Sequence, residues 1–153
     1  MKKIFLAIIS ITFFSLCALA DEAQDVLKTF DDFVSAANSY SQNLASYYAK
    51  NAKIVRVVNK KTGGQQAVII PFDRYLLELK NNAKYAKMTN YKNTYVNKKV
   101  TKVDNDYKLS ATRIPRNDKT GLRCYYIFTK TSSGWKIKEE NMTTNVQAFL
   151  NAK

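Results

Sequence analysis

The run from Gly121 to Asn141 narrows most sharply what this chain can fold into. Leu122, Cys124, Tyr126 and Phe128 share one face at the two-residue period of a strand. After Thr131-Ser132-Ser133-Gly134, Trp135 and Ile137 resume that face between Lys136 and Lys138. The pattern predicts an antiparallel hairpin with one buried side. A one-sided sheet must be covered, and the amphipathic segments earlier in the chain supply the cover.

Those segments read in order. Ala23, Val26, Leu27, Phe30, Phe33, Val34, Ala37 and Tyr40 recur at spacings of three and four, which predicts an amphipathic helix over Asp21 to Tyr40. Ser41 suits the N-cap of a short second helix that turns Leu44, Tyr47 and Tyr48 inward. The β-branched stretch Ala52 to Val58 predicts a strand, Asn59 to Gly64 a turn and Gln65 to Ile70 a second strand. Pro71 opens a third helix through Lys87, with Phe72, Tyr75, Leu76, Leu79, Ala83 and Ala86 at helical spacing. Strands then run over Tyr91 to Val103 and Tyr107 to Ile114, joined by Asp104-Asn105-Asp106, before the polar loop Pro115 to Thr120 and the hairpin. Val146, Phe149 and Leu150 fit a turn of helix in the tail. No repeat, linker or low-complexity run divides the chain, so residues 21–153 are expected to form one domain.

Residues 1–20 carry a separate message. Lys2 and Lys3 precede an apolar run from Ile4 to Leu16, and Ala18-Leu19-Ala20 supplies the small residues of a cleavage site, the pattern of a signal peptide. The expected location of the mature chain is the periplasm or the outside of the cell. Losing Lys2 and Lys3 would lower the formal charge from +13 to +11, and losing Cys17 would leave Cys124 without a disulfide partner. Cys124 lies on the apolar face of its strand and reads as a small buried hydrophobe.

Helix, helix, strands, helix and a long meander make an α+β order in which a curved antiparallel sheet wraps a long first helix. Phe30-Asp31-Asp32-Phe33-Val34-Ser35-Ala36-Ala37-Asn38-Ser39, then Leu44-Ala45-Ser46-Tyr47-Tyr48-Ala49-Lys50-Asn51-Ala52-Lys53-Ile54, resembles the opening of nuclear-transport-factor-2-like, or cystatin-like, domains. Gly134-Trp135-Lys136-Ile137 is similar to their final strand. The resemblance implies a conical cavity between the concave face of the sheet and the helices, and often a dimer packed through the sheet.

That family hosts enzymes and binders, so function rests on the site. Relatives resembling ketosteroid isomerase place a general-base Asp where this chain has Lys53-Ile54-Val55-Arg56-Val57, which holds no carboxylate. The chain has no histidine, which removes His-dependent acid-base chemistry. Asp32, Asp73, Glu78, Glu139 and Glu140 are what remains. Asp32 falls on a polar helix face, Asp73 suits a helix N-terminus and Glu78 can pair with Arg74. Glu139 is the one catalytic candidate, because it continues the face of Trp135 and Ile137. Neither a metal site nor a cofactor loop is expected: zinc ligands are missing, Asp104-Asn105-Asp106 is a turn, and Gly63-Gly64 is too little for a phosphate cradle.

Phe30, Phe33, Tyr47, Tyr48, Phe72, Tyr75, Tyr126, Phe128 and Trp135 would converge inside the cone and are the candidate ligand-binding residues, unless they simply fill the core. Lys92, Lys98, Lys99, Lys102 and Lys108, interleaved with Tyr91, Tyr95 and Tyr107, form a basic, aromatic surface. An exported address argues against nucleic acid and favours an anionic membrane surface or an acidic protein partner. The leading expectation is a non-enzymatic exported domain that holds a small hydrophobic or lipid-like ligand. A dimeric scaffold of an envelope or secretion system, and an enzyme of unassigned acid-base chemistry, are the alternatives.

Overall fold

The computed structural model describes residues 2–116, 118 and 120–151, with side chains from residue 20 onward. Helix α1 (Lys2–Asn38) is followed by a single 3-10 turn (Leu44–Tyr47), β1 (Tyr48–Asn59), β2 (Gln65–Ile70), α2 (Phe72–Met88), β3 (Asn93–Val103), β4 (Asp106–Pro115), β5 (Leu122–Thr131), β6 (Gly134–Thr144) and a closing 3-10 turn (Gln147–Asn151). The expected signal peptide falls on residues 1–20, whose side chains lie, but for Ala20, outside the described residues.

The apolar stripe of α1 is buried as its spacing requires: Val26 and Phe30 are fully enclosed and Phe33 nearly so. Tyr40 does not continue that stripe. It adopts φ 60° just beyond the helix, while the Ser41 amide donates to the Ala36 carbonyl at 3.0 Å and the Tyr40 amide to Ala37 at 3.1 Å. A left-handed residue at this position closes the helix end by reaching back to carbonyls that would otherwise lack partners. Ser41 is not a helix N-cap either. Its Oγ accepts the Asn43 amide at 3.2 Å, and Asn43 precedes the 3-10 turn. Tyr48 leaves that turn and opens β1, four residues before the expected strand start. Pro71 stands at the N-cap of α2, not in its first turn, with φ −55° and ψ 133°, and its carbonyl accepts the Tyr75 amide at 2.9 Å.

One six-stranded sheet runs in the order β2-β1-β6-β5-β4-β3. Every ladder is antiparallel except β1 with β6, which are parallel. The chain can close this pair because α2 and the meander β3 to β6 return it to the β1 edge. The concave face presents Ile54, Arg56 and Val58 from β1, Glu140, Met142 and Thr144 from β6, Cys124, Tyr126 and Phe128 from β5, and Tyr107, Leu109, Ala111 and Arg113 from β4.

Three irregularities bend the sheet around α1. β1 carries extra residues between Tyr48 and Lys53, where Asn51 has φ 60°. β3 slips between Val96 and Lys99, where Asn97 has φ 55°. In β6, Phe128 pairs with Ile137 but Ile127 pairs with Glu139, so Lys138 is an inserted residue. A single inserted residue kinks its strand and reverses the inward and outward parity of the residues after it.

Candidate functional site

The bulge at Lys138 decides which carboxylate enters the cone. Strict alternation from Trp135 and Ile137 would bring Glu139 inward. The inserted residue turns Glu139 to the outer face, where the Tyr125 hydroxyl donates to it at 2.7 Å and Lys53 Nζ lies at 3.4 Å. The expectation of an inward Glu139 is therefore corrected: Glu140 takes the inward position and is fully buried.

Three side chains converge on Glu140. Arg56 Nη2 donates to Oε1 at 2.6 Å, the Tyr48 hydroxyl donates to Oε2, and the Tyr75 hydroxyl lies 3.2 and 3.3 Å from the two oxygens. The Tyr48 and Tyr75 hydroxyls are 2.9 Å apart, within hydrogen-bond distance of each other. Arg56 also donates from Nη1 to the Val55 carbonyl at 3.1 Å, and its guanidinium lies 5.3 Å from the Tyr75 ring centre and 5.9 Å from that of Phe149. Burial works against the Arg56 charge, but Glu140 and the two phenol oxygens outweigh it and hold the guanidinium above its ordinary value. Burial first, and the Glu140 charge second, push the Tyr48 and Tyr75 phenols up. The network is thus a neutralised ion pair with both carboxylate oxygens occupied.

In front of it lies a cavity of about 380 Å³. It opens between the C-terminal end of α1, the inner face of α2 and the sheet. Its apolar wall includes Phe33, Leu44, Leu79, Ala83, Met142 and Phe149. Arg56 and Tyr75 reach its surface, whereas Glu140 sits behind them. Asn38 and Asn93 brace one end with a reciprocal pair of hydrogen bonds, each 2.9 Å, between α1 and β3. Arg113 lines the same end, 7% exposed, and donates to Asn93 Oδ1 at 3.0 Å, the Tyr91 hydroxyl at 3.3 Å and the Thr143 carbonyl at 3.1 Å. Its Nε is buried without a partner among the described residues. Tyr95, also on the wall, meets the Tyr126 hydroxyl at 3.2 Å, and burial raises both phenols. Glu78 is the one carboxylate among the lining residues, and it pairs with Arg74 Nε at 3.1 Å.

Of the nine aromatic residues expected to bind ligand, Phe33 and Tyr75 line this cavity. Phe30 and Tyr126 pack on each other at 5.0 Å and form the core beneath it, Tyr48 serves Glu140, and Phe72 packs on Tyr48 at 5.8 Å. Tyr47 leans on Phe33 at 5.7 Å at the surface. Phe128 and Trp135 belong to the other end of the cone, where Trp135 meets Tyr107 edge-on at 5.3 Å. The basic, aromatic surface also divides: Tyr95 and Tyr107 turn inward by strand parity, Lys102 Nζ stays 5.7 Å from the Tyr107 ring centre, and Lys108 Nζ lies 4.4 Å from that of Tyr125.

Arg56 and Arg113 are the residues that sequence reasoning passed over. Their signal was present, since Ile54-Arg56-Val58 and Leu109-Ala111-Arg113 each set an arginine on the apolar parity of a strand. Cys124 is buried, as expected, and that burial pushes the thiol up to about 12. Among the described residues no group of His, Cys, Asp and Glu could hold a metal ion.

No family model matches the chain, and no curated protein does. Solved structures do. An NTF2-like protein with a cystatin-like fold from Novosphingobium aromaticivorans is similar with a TM-score of 0.65 at 10% identity, over 90% of this chain and 92% of that one. A protein with a cystatin-like fold from Caulobacter vibrioides gives 0.60 at 10% identity, over 86% and 94%. A candidate dehydratase of the NTF2-like family from Streptomyces avermitilis gives 0.60 at 12% identity, over 81% and 96%. With its bent six-stranded sheet wrapped on α1 and a cavity at the open end of the cone, this chain has the nuclear-transport-factor-2-like, cystatin-like fold.

Proposed function

We propose that this is an exported, non-catalytic binding domain that holds a small apolar or amphipathic, lipid-like molecule in its cone. The observation that carries the reading is the cavity itself. Its volume falls within the range of small-molecule sites, and its wall is apolar with a few polar groups at fixed places. A base for proton abstraction is not offered to that space: both oxygens of Glu140 are occupied, it lies behind Arg56 and Tyr75, and Glu78 is engaged by Arg74. Export is supported by the charged, apolar and small-residue sequence of residues 2–20.

Native mass spectrometry of the protein purified from its own cell envelope, followed by denaturing extraction, tests the reading. A stoichiometric small molecule released on unfolding is the expected result. A protein that carries nothing, and that takes up no apolar probe after purification, refutes it.

A further inference from the structure

We infer that the cavity selects an amphipathic organic anion, a molecule with an apolar body and a carboxylate or similar oxyanion head, and that Arg113 is the residue that selects it. The inference rests on the binding-domain reading and adds the chemical class of the ligand. Two buried arginines line the cavity, and their surroundings differ. Arg56 is neutralised by Glu140 at 2.6 Å. Arg113 has only neutral partners: a phenol, an amide oxygen and a backbone carbonyl. Among the described residues no carboxylate pairs with it, Asp118 feeling its charge only from beyond ion-pair distance, and one of its five N–H groups, on Nε, is left unsatisfied.

A buried cation without a counter-ion is costly, and its retention on a cavity wall is explained when an anion completes it. The guanidinium is the side chain best shaped for an oxyanion, and Asn93 and Tyr91 fix its plane from one edge. Phe33, Leu79, Ala83, Met142 and Phe149 then receive the apolar body of the same molecule. Glu78 adds no competing charge at the wall, because Arg74 balances it.

The test compares octanoate, octyl sulfate and 1-octanol, which share a tail and differ in the head, by calorimetric titration of the full chain stripped of carried ligand. At least one of the two anions is expected to bind about tenfold or more tighter than octanol, the worth of one charge-assisted hydrogen bond. The Arg113→Gln variant should lose that preference and keep the octanol affinity. Equal binding of all three ligands, or a preference that survives Arg113→Gln, overturns the anion inference and leaves the binding-domain reading standing. Failure of all three to bind overturns the anion inference, and the binding-domain reading falls with it where the purified protein also carried no small molecule. Should the variant not fold, the ¹⁵N signal of Arg113 Nε in the unaltered protein decides: it shifts with the anion and not with octanol, and an unmoved signal overturns the assignment.

Discussion

Replacing Glu140 by Gln removes one charge from the best-enclosed part of the molecule while keeping size and shape. Arg56, whose side chain is 7% exposed, then keeps a buried charge with no counter-ion, and a single amide oxygen is left to serve Arg56 and the Tyr48 and Tyr75 hydroxyls, which the two carboxylate oxygens served before. Breaking one side of a buried pair costs about 3–5 kcal/mol. That is a large part of the roughly 5–15 kcal/mol that holds a domain folded. For a chain of this size, at roughly 2–4 °C per kcal/mol, it lowers the melting temperature by about 6–20 °C. Urea and thermal denaturation followed by circular dichroism would measure it. The double variant Glu140→Gln with Arg56→Met removes both charges, and it should recover at least about 2 kcal/mol of the single-variant loss. Two results would refute the reasoning: a loss below about 1 kcal/mol for Glu140→Gln, or a double variant whose loss is the plain sum of the singles.

Other consequences are as direct. Phe30 is fully buried against Phe33, Tyr95 and Tyr126, so Phe30→Ala should cost about 3–5 kcal/mol in the same denaturation assay. Ala83→Trp, on the α2 wall, should block uptake of apolar probes in titration while leaving the far-ultraviolet spectrum unchanged. Burial raises the phenols of Tyr48, Tyr75, Tyr95 and Tyr126 above 10.0 and lifts the Cys124 thiol from 9.0 to about 12. A group whose folded value is raised contributes stability that is whole below its unfolded value and is lost as pH climbs toward the folded one. Urea midpoints should therefore fall progressively above about pH 9, with up to about 1.4 kcal/mol per pH unit lost for each such group. In a tyrosinate absorbance titration at about pH 11, above the ordinary phenol value, the folded protein should fall short of the unfolded chain by at least those four phenols.

The elements and most of the core were legible in local pattern. Apolar residues at spacings of three and four put Val26, Phe30 and Phe33 under the sheet, and two-residue alternation put Leu122, Cys124, Tyr126, Phe128, Trp135 and Ile137 on its inner face. Those periodicities act within one element, and burial of the apolar side is the only force they need. They also sufficed for the Arg74 and Glu78 pair, which is set by one helical turn.

The site, by contrast, is a product of long-range packing. An inserted Lys138 is favoured by how β6 must bend between β1 and β5, and no local pattern announces it; yet it exchanges Glu139 for Glu140 at the centre of the cone. Arg56, Tyr48, Tyr75 and Glu140 are distant along the chain and meet only because β1 pairs in parallel with β6 and α2 lies over them. The same holds for which aromatics fill the cone and which line its cavity: each is apolar and inward, so parity treats them alike. Their depth is set by the curvature of the whole sheet, and that curvature puts Phe128 and Trp135 at one end of the cone and Phe33, Tyr75 and Arg113 around the space at the other.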